Sequence, residues 1–180
     1  AQSGDDARIR GERRGLLLTI AALPDIERRQ VAAAAGEQGV PMDALFAMLR
    51  SAGSSAPSSP DAFDQLLREQ GARLKGMLAA DRPAQISDPE LLRLASLADT
   101  AVREGALTTA IDLFDRAKAR MGALAPGLSQ VESGTDALRR ERATVFAQSA
   151  ATSLLAFDYA AAAADYGRAF DEIERADPDL

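Results

Sequence analysis

Carboxylates are the only plentiful groups in this chain suited to acid–base or metal chemistry: 27 Asp and Glu stand against no His and no Cys. Without imidazole or thiol, the sequence excludes a Ser-His-Asp triad, a thiolate nucleophile and a Cys/His zinc site. A helix-borne Glu-x-x-His metal pair is excluded for the same reason. An enzyme built here would have to rely on carboxylates, helped by a hard metal ion. The carboxylates fall instead on the polar sides of predicted helices, where charged residues are ordinarily just solvated. Gly36, Gly39, Gly53 and Gly71 lack the spacing of a phosphate-cradling or dinucleotide loop. The sequence therefore assigns no catalytic residue, no cofactor and no metal site, and the chain reads as a non-enzyme.

The charge balance narrows the partners. Net charge is −6 and the pI about 4.8, so the domain repels phosphate backbones unless it carries a segregated basic stripe. The densest basic clusters, Arg8-Arg10-Arg13-Arg14 and Arg139-Arg140-Arg142, are interleaved with acids, and nucleic acid is disfavoured as a partner. Lys75 and Lys118 are the only lysines; the Arg bias, with abundant Ala, Gly and Asp, points to a GC-rich bacterial genome. The longest apolar stretch, Gly15 to Pro24, is far short of a membrane span. A cytoplasmic location is favoured, with the periplasm as the alternative should Ala1 be a mature end after signal cleavage.

These side chains have to be positioned by helices. Hydrophobic residues make up 47% and aromatics 4%, and the excess is Ala and Leu, the strongest helix formers. No alternating Val/Ile/Thr run suggests a strand, so the fold class is all-α. Asp5 and Asp6 are placed to cap a first helix with Ile9, Leu16, Leu17 and Ile20 as its apolar positions. A second helix spans about 25–35 and closes at Gly36; a third opens at Val40-Pro41-Met42-Asp43 and ends at Gly53. Residues 1–53 form an N-terminal three-helix segment, and the Ser/Pro-rich 54–60 a linker. Residues 61–88 supply an amphipathic helix (Phe63, Leu66, Leu67, Leu74, Met77, Leu78) and a connecting loop. The segment 25–52 also matches the apolar spacing of a helix-turn-helix, which gives the alternative reading of a DNA-associated regulator. Against it, the helix after Pro41 offers Asp43 and almost nothing that could hydrogen-bond a base.

The part from 89 to 180 repeats a pattern. Asp88-Pro89-Glu90 is a strong helix start; the helix breaks at Gly105 and a second one runs from Leu107 to about Met121. Its ordered small and large residues are Leu94, Leu97, Ala98, Ala101, Gly105, Leu107, Ala110, Phe114 and Ala117. A shift of 52 residues, the separation of Ala110 and Ala162, reads Phe146, Ser149, Ala150, Ser153, Phe157, Tyr159, Ala162, Tyr166 and Ala169. The small residues recur at Ala98/Ala150, Ala110/Ala162 and Ala117/Ala169, and the aromatics at Phe114/Tyr166.

On these residues the segment resembles the tetratricopeptide repeat family. The resemblance implies two antiparallel helical hairpins stacked as an α-α superhelix, with small residues at close helix crossings and an aromatic knob on each second helix. The standard unit is about 34 residues, so roughly 18 more must be accommodated here. They are expected in a long loop near 122–134 and in a longer first helix from about Thr135-Asp136. A Pro of the kind that often closes a unit stands at Pro178.

In that family the first helices of successive units line a groove that takes peptides or protein segments. Carried over by position, the groove residues are Leu92, Ala95, Asp99, Val102 and Arg103, then Thr144, Ala147, Ala151, Leu154 and Leu155. The Lys, Arg and Asn set that clamps a chaperone's carboxylate tail in some members is missing. The expectation is a protein–protein interaction scaffold within a larger bacterial protein, its groove apolar or mixed and open to filling by the chain's own N-terminal helices. Two units are few for a free-standing array; a homodimer, or the helix at 61–80 acting as a cap, would complete it.

Overall fold

A computed structural model describes residues 2–51, 60–79, 86–124 and 132–177. Among them are eight α-helices and no strand: α1 (Gln2–Ala21), α2 (Asp25–Gln38), α3 (Met42–Ser51), α4 (Pro60–Ala79), α5 (Pro89–Arg103), α6 (Leu107–Leu124), α7 (Glu132–Leu155) and α8 (Tyr159–Ala176). The linker residues up to Ser59, most of the loop after Leu124 and Pro178 lie outside the described residues.

The all-α expectation holds, and most boundaries fall close to their sequence signals. Asp88 caps α5 by accepting from the Leu91 N–H at 2.8 Å, with Pro89 in the first turn. Asp158 does the same for α8 through the Ala161 N–H at 3.0 Å. Two expectations are corrected. Asp5 lies inside the first turn of α1 and is buried, so it is not a cap. And α2 does not close at Gly36: it continues to Gln38, and Gly39, at φ 67°, takes the left-handed position. The reason is tertiary, because α4 crosses at Gly71, where an added Cβ would lie 2.8 Å from Gln38 Cγ. The last turn of α2 thus has a packing partner that Gly36 alone could not foretell.

α5 with α6, and α7 with α8, form antiparallel hairpins, and α6 packs on α7. The two turns carry the same hydrogen bonds. In the first, the Gly105 N–H donates to Val102 O at 3.1 Å and the Ala106 N–H to Ala101 O at 2.8 Å. In the second, the Phe157 N–H donates to Leu154 O at 3.1 Å and the Asp158 N–H to Ser153 O at 2.9 Å. Each is a Schellman closure, with the left-handed residue supplied by Gly105 (φ 73°) and then by Phe157 (φ 60°). The corresponding residues are again 52 apart.

The N-terminal helices pack onto this pair of hairpins. α1 touches α3, α5 and α6, while α2 and α3 pack on α4. One core cluster runs from Ile9 and Leu16 through Leu45, Met48, Leu67, Leu74, Leu91 and Leu113 to Val145 and Leu155. Of the expected α1 stripe, Ile9, Leu16 and Ile20 are buried and Leu17 is exposed. Polar contacts add register. Glu12 accepts from the Thr108 and Thr109 N–H groups, both at 3.0 Å, and so caps α6 from another helix. Burying apolar area drives the association at ~25 cal/mol per Å²; the polar pairs decide which surfaces meet.

Candidate functional site

The first helices of the two hairpins do not close on each other. Between α5 and α7, walled by the end of α4, lies a cleft of about 810 Å³. α5 contributes Asp99 and Val102; α6 contributes Phe114; α7 contributes Thr144, Ala147, Gln148, Ala151 and Thr152; α8 contributes Tyr166; and α4 contributes Arg73, Gly76, Met77 and Leu78. The volume lies within the ~300–1,000 Å³ typical of binding clefts, and the mixture of apolar walls with a few polar groups is also typical.

The α7 wall follows from helical spacing. Thr144, Ala147, Gln148, Ala151 and Thr152 recur at intervals of three and four residues and share one face. Thr144 Oγ1 donates to Arg140 O and Thr152 Oγ1 to Gln148 O, both at 2.9 Å, so each hydroxyl retains accepting capacity toward the cleft. The side-chain oxygen of Gln148 is enclosed and has no donor, the kind of buried polar atom that ordinarily finds a partner. At the rim, Arg103 Nε donates to Asp99 Oδ2 at 3.1 Å. Ala147 and Ala151 are half-buried, and their small side chains are what keep the cleft open between the helices.

Of the groove residues assigned from the sequence, Asp99, Val102, Thr144, Ala147 and Ala151 come together on this cleft. Arg103 reaches it through its ion pair with Asp99. Leu92 is 46% exposed and does not line it. Leu154 is half-buried and Ala95 and Leu155 are core residues, none of them in the lining. The α4 contribution, Gln148 and Thr152 were not assigned from sequence. The apolar end of α4 at Met77 and Leu78 was visible as part of an amphipathic stripe, but nothing in the stripe says which hairpin it meets.

The paired aromatics differ. Phe114 is 3% exposed, whereas Tyr166 is 43% exposed, because Phe114 lies on a helix covered by α7 and no helix among the described residues follows α8. The buried residue beside it is Asp165. It accepts from Ser149 Oγ at 2.7 Å and Lys118 Nζ at 2.9 Å, joining α6, α7 and α8. Burial lowers the Lys118 pKa, but hydrogen bonds to Asp165 and Asp115 outweigh it and hold the amine above its ordinary value.

The helix-turn-helix segment does not present a reading helix. In α3, Ala44, Leu45, Phe46, Ala47 and Met48 are buried, Asp43 pairs with Arg13 at 3.0 Å, and only Arg50 and Ser51 are exposed. Among the described residues no helix is long and apolar enough to cross a membrane, and no group of three or more Asp or Glu is arranged to hold a metal ion. Comparison with protein-family models, with curated proteins and with solved structures gave no match.

Proposed function

We propose that this chain is a protein-interaction module of the tetratricopeptide-like kind, which holds a peptide segment of a partner in the cleft between α5 and α7, and that it performs no chemistry of its own. The observation that carries this reading is the convergence of Asp99, Val102, Thr144, Ala147 and Ala151 on one cleft of about 810 Å³. These are positions at which the repeat resemblance puts the groove. The repeated turn geometry, with matching hydrogen bonds 52 residues apart, supports the same reading. The walls suit a segment with apolar side chains for Val102, Phe114, Met77 and Leu78, and with backbone N–H and C=O groups for Gln148, Thr144 and Thr152. A DNA-binding role is not favoured, since α3 is buried where a recognition helix must be open.

The test is selection of peptides from a random display library on the full chain, followed by titration of the best binder. Ala147→Trp and Ala151→Trp fill the cleft from half-buried positions. Each is expected to weaken binding at least tenfold while far-UV circular dichroism stays unchanged. Peptide affinity that survives both substitutions, or a chain that selects duplex DNA at low salt instead, would overturn the assignment.

A further inference from the structure

Two charged side chains line the cleft between α5 and α7, Asp99 and Arg73, and they differ in what they already hold. Asp99 accepts from Arg103 Nε at 3.1 Å, and its side chain is only 18% exposed. Arg73 is exposed, and among the described residues its guanidinium has no hydrogen-bond or ion-pair partner. Arg93, Arg116 and Arg142, by contrast, each reach a carboxylate on another helix. Arg73, Gly76 and Met77 are three and four residues apart and share the face that α4 turns to the cleft. The cation therefore stands beside the half-buried Met77. Gly76 has no side chain to cover it, and the space where a Cβ would lie is open.

We propose that Arg73 selects the segment held in the cleft, a role that rests on the cleft being a peptide site, and that this segment is acidic as well as apolar. An Asp or Glu side chain of the partner pairs with Arg73, while its apolar neighbours fill the space against Val102, Phe114 and Met77. The reason is the cost of covering a guanidinium. A wholly apolar segment laid over the α4 wall strips water from Arg73 and returns nothing, which is unfavourable. A carboxylate replaces that water with two parallel charge-assisted hydrogen bonds. The opposite wall gives a basic segment no equal reward, because Arg103 already pairs with Asp99. Recognition of charge thus falls to α4, outside the two hairpins. The net charge of −6 does not prevent it, since repulsion between exposed charges fades beyond a Debye length of about 8 Å and this pair forms in contact.

The probe is the best binder from the display library, synthesised with an amidated C-terminus so that only side-chain carboxylates can serve, and titrated against the full chain by fluorescence anisotropy. The peptide is expected to contain Asp or Glu, and exchanging that residue for its amide should weaken binding at least fivefold. Arg73→Glu should weaken the parent peptide at least tenfold, and a peptide with Lys in place of its acid should bind Arg73→Glu better than it binds the parent chain. Lys75→Glu makes the same change in net charge at an exposed position of α4 that does not line the cleft; it should alter affinity less than twofold. Arg73 is exposed and unpaired, so circular dichroism should not change in either variant. A peptide blocked by Ala147→Trp yet indifferent to Arg73→Glu overturns this proposal and leaves the peptide site standing. A peptide indifferent to the tryptophan substitutions overturns both. Selected peptides without Asp or Glu, or equal losses from Arg73→Glu and Lys75→Glu, would also overturn the role of Arg73.

Discussion

Gly105 and Phe157 hold the same left-handed position at the two hairpin turns, with φ of 73° and 60°, yet the surroundings make them unequal. A Cβ on Gly105 would lie 2.6 Å from Asp43 O and 2.6 Å from Leu16 Cδ2. Glycine is required there both by conformation and by the approach of α1 and α3. Gly105→Ala should therefore destabilise by ~2–4 kcal/mol, about 1–2 from the left-handed backbone and the rest from displaced neighbours, measured as a lower urea midpoint. Phe157 has no such crowding; its ring packs edge-on to Tyr159 at 6.2 Å. Phe157→Gly should thus stay within ~1 kcal/mol of the parent, relief of the backbone offsetting lost ring contact. Asp5 makes a second residue-level prediction. The Arg116 guanidinium, at 2.6 Å, is the main cause that holds its carboxyl below the ordinary value, with burial opposing and Arg93 assisting. A depressed folded pKa contributes stability above the unfolded value of ~4, lost as pH falls through the folded one. Asp5→Asn should accordingly lower the urea midpoint at pH 7, and its curve should converge with the parent's below about pH 4.

At the scale of elements, the polar contacts that join α6, α7 and α8 are as decisive as the apolar ones. Asp165 is 3% exposed and bonded to Lys118 and Ser149. Without Asp165, Lys118 keeps only its ion pair with the more exposed Asp115, at 2.9 Å, and the buried Ser149 hydroxyl loses its acceptor. Asp165→Leu alone should cost ~3 kcal/mol, and Asp165→Leu with Lys118→Met should recover most of it; a double-mutant cycle in urea would read the difference. The helices themselves were legible because Ala- and Leu-rich segments are punctuated by Gly, Pro and Asp at their ends, as at Asp88-Pro89 and Gly105. What was not legible depended on other elements. Gly36 and Gly39 are equivalent in a local window, and only the crossing of α4 at Gly71 selects Gly39 as the end of α2. Asp165 looked like surface charge because its partners are 47 and 16 residues away. The cleft was half legible: spacing placed the α5 and α7 residues on shared faces, but the α4 wall needed a packing direction that periodicity does not encode.

For the whole molecule, the question is whether the N-terminal helices and the hairpins form one cooperative unit. The sequence suggests a segmented chain, with Ser/Pro-rich residues between α3 and α4. The contacts argue for coupling: Leu16 of α1 and Asp43 of α3 crowd Gly105, Glu12 caps α6, and Arg8 pairs with Asp112 at 2.7 Å. The hydrophobic cluster is continuous from Ile9 to Ala169. A chain of this size with a continuous core is expected to unfold in one transition. The sequence supplies a convenient probe, since it has no Trp and its two tyrosines, Tyr159 and Tyr166, both lie on α8. Tyrosine fluorescence therefore reports the last helix, while far-UV circular dichroism reports all eight. At concentrations where the chain is monomeric, the two melting curves should coincide, and Gly105→Ala should shift both by the same amount although it perturbs the contact with α1 and α3. A fluorescence transition that stays in place while the circular dichroism transition moves would mean that α7 and α8 unfold independently. In that case the polar contacts of α1 orient the hairpins without stabilising the far end of the array.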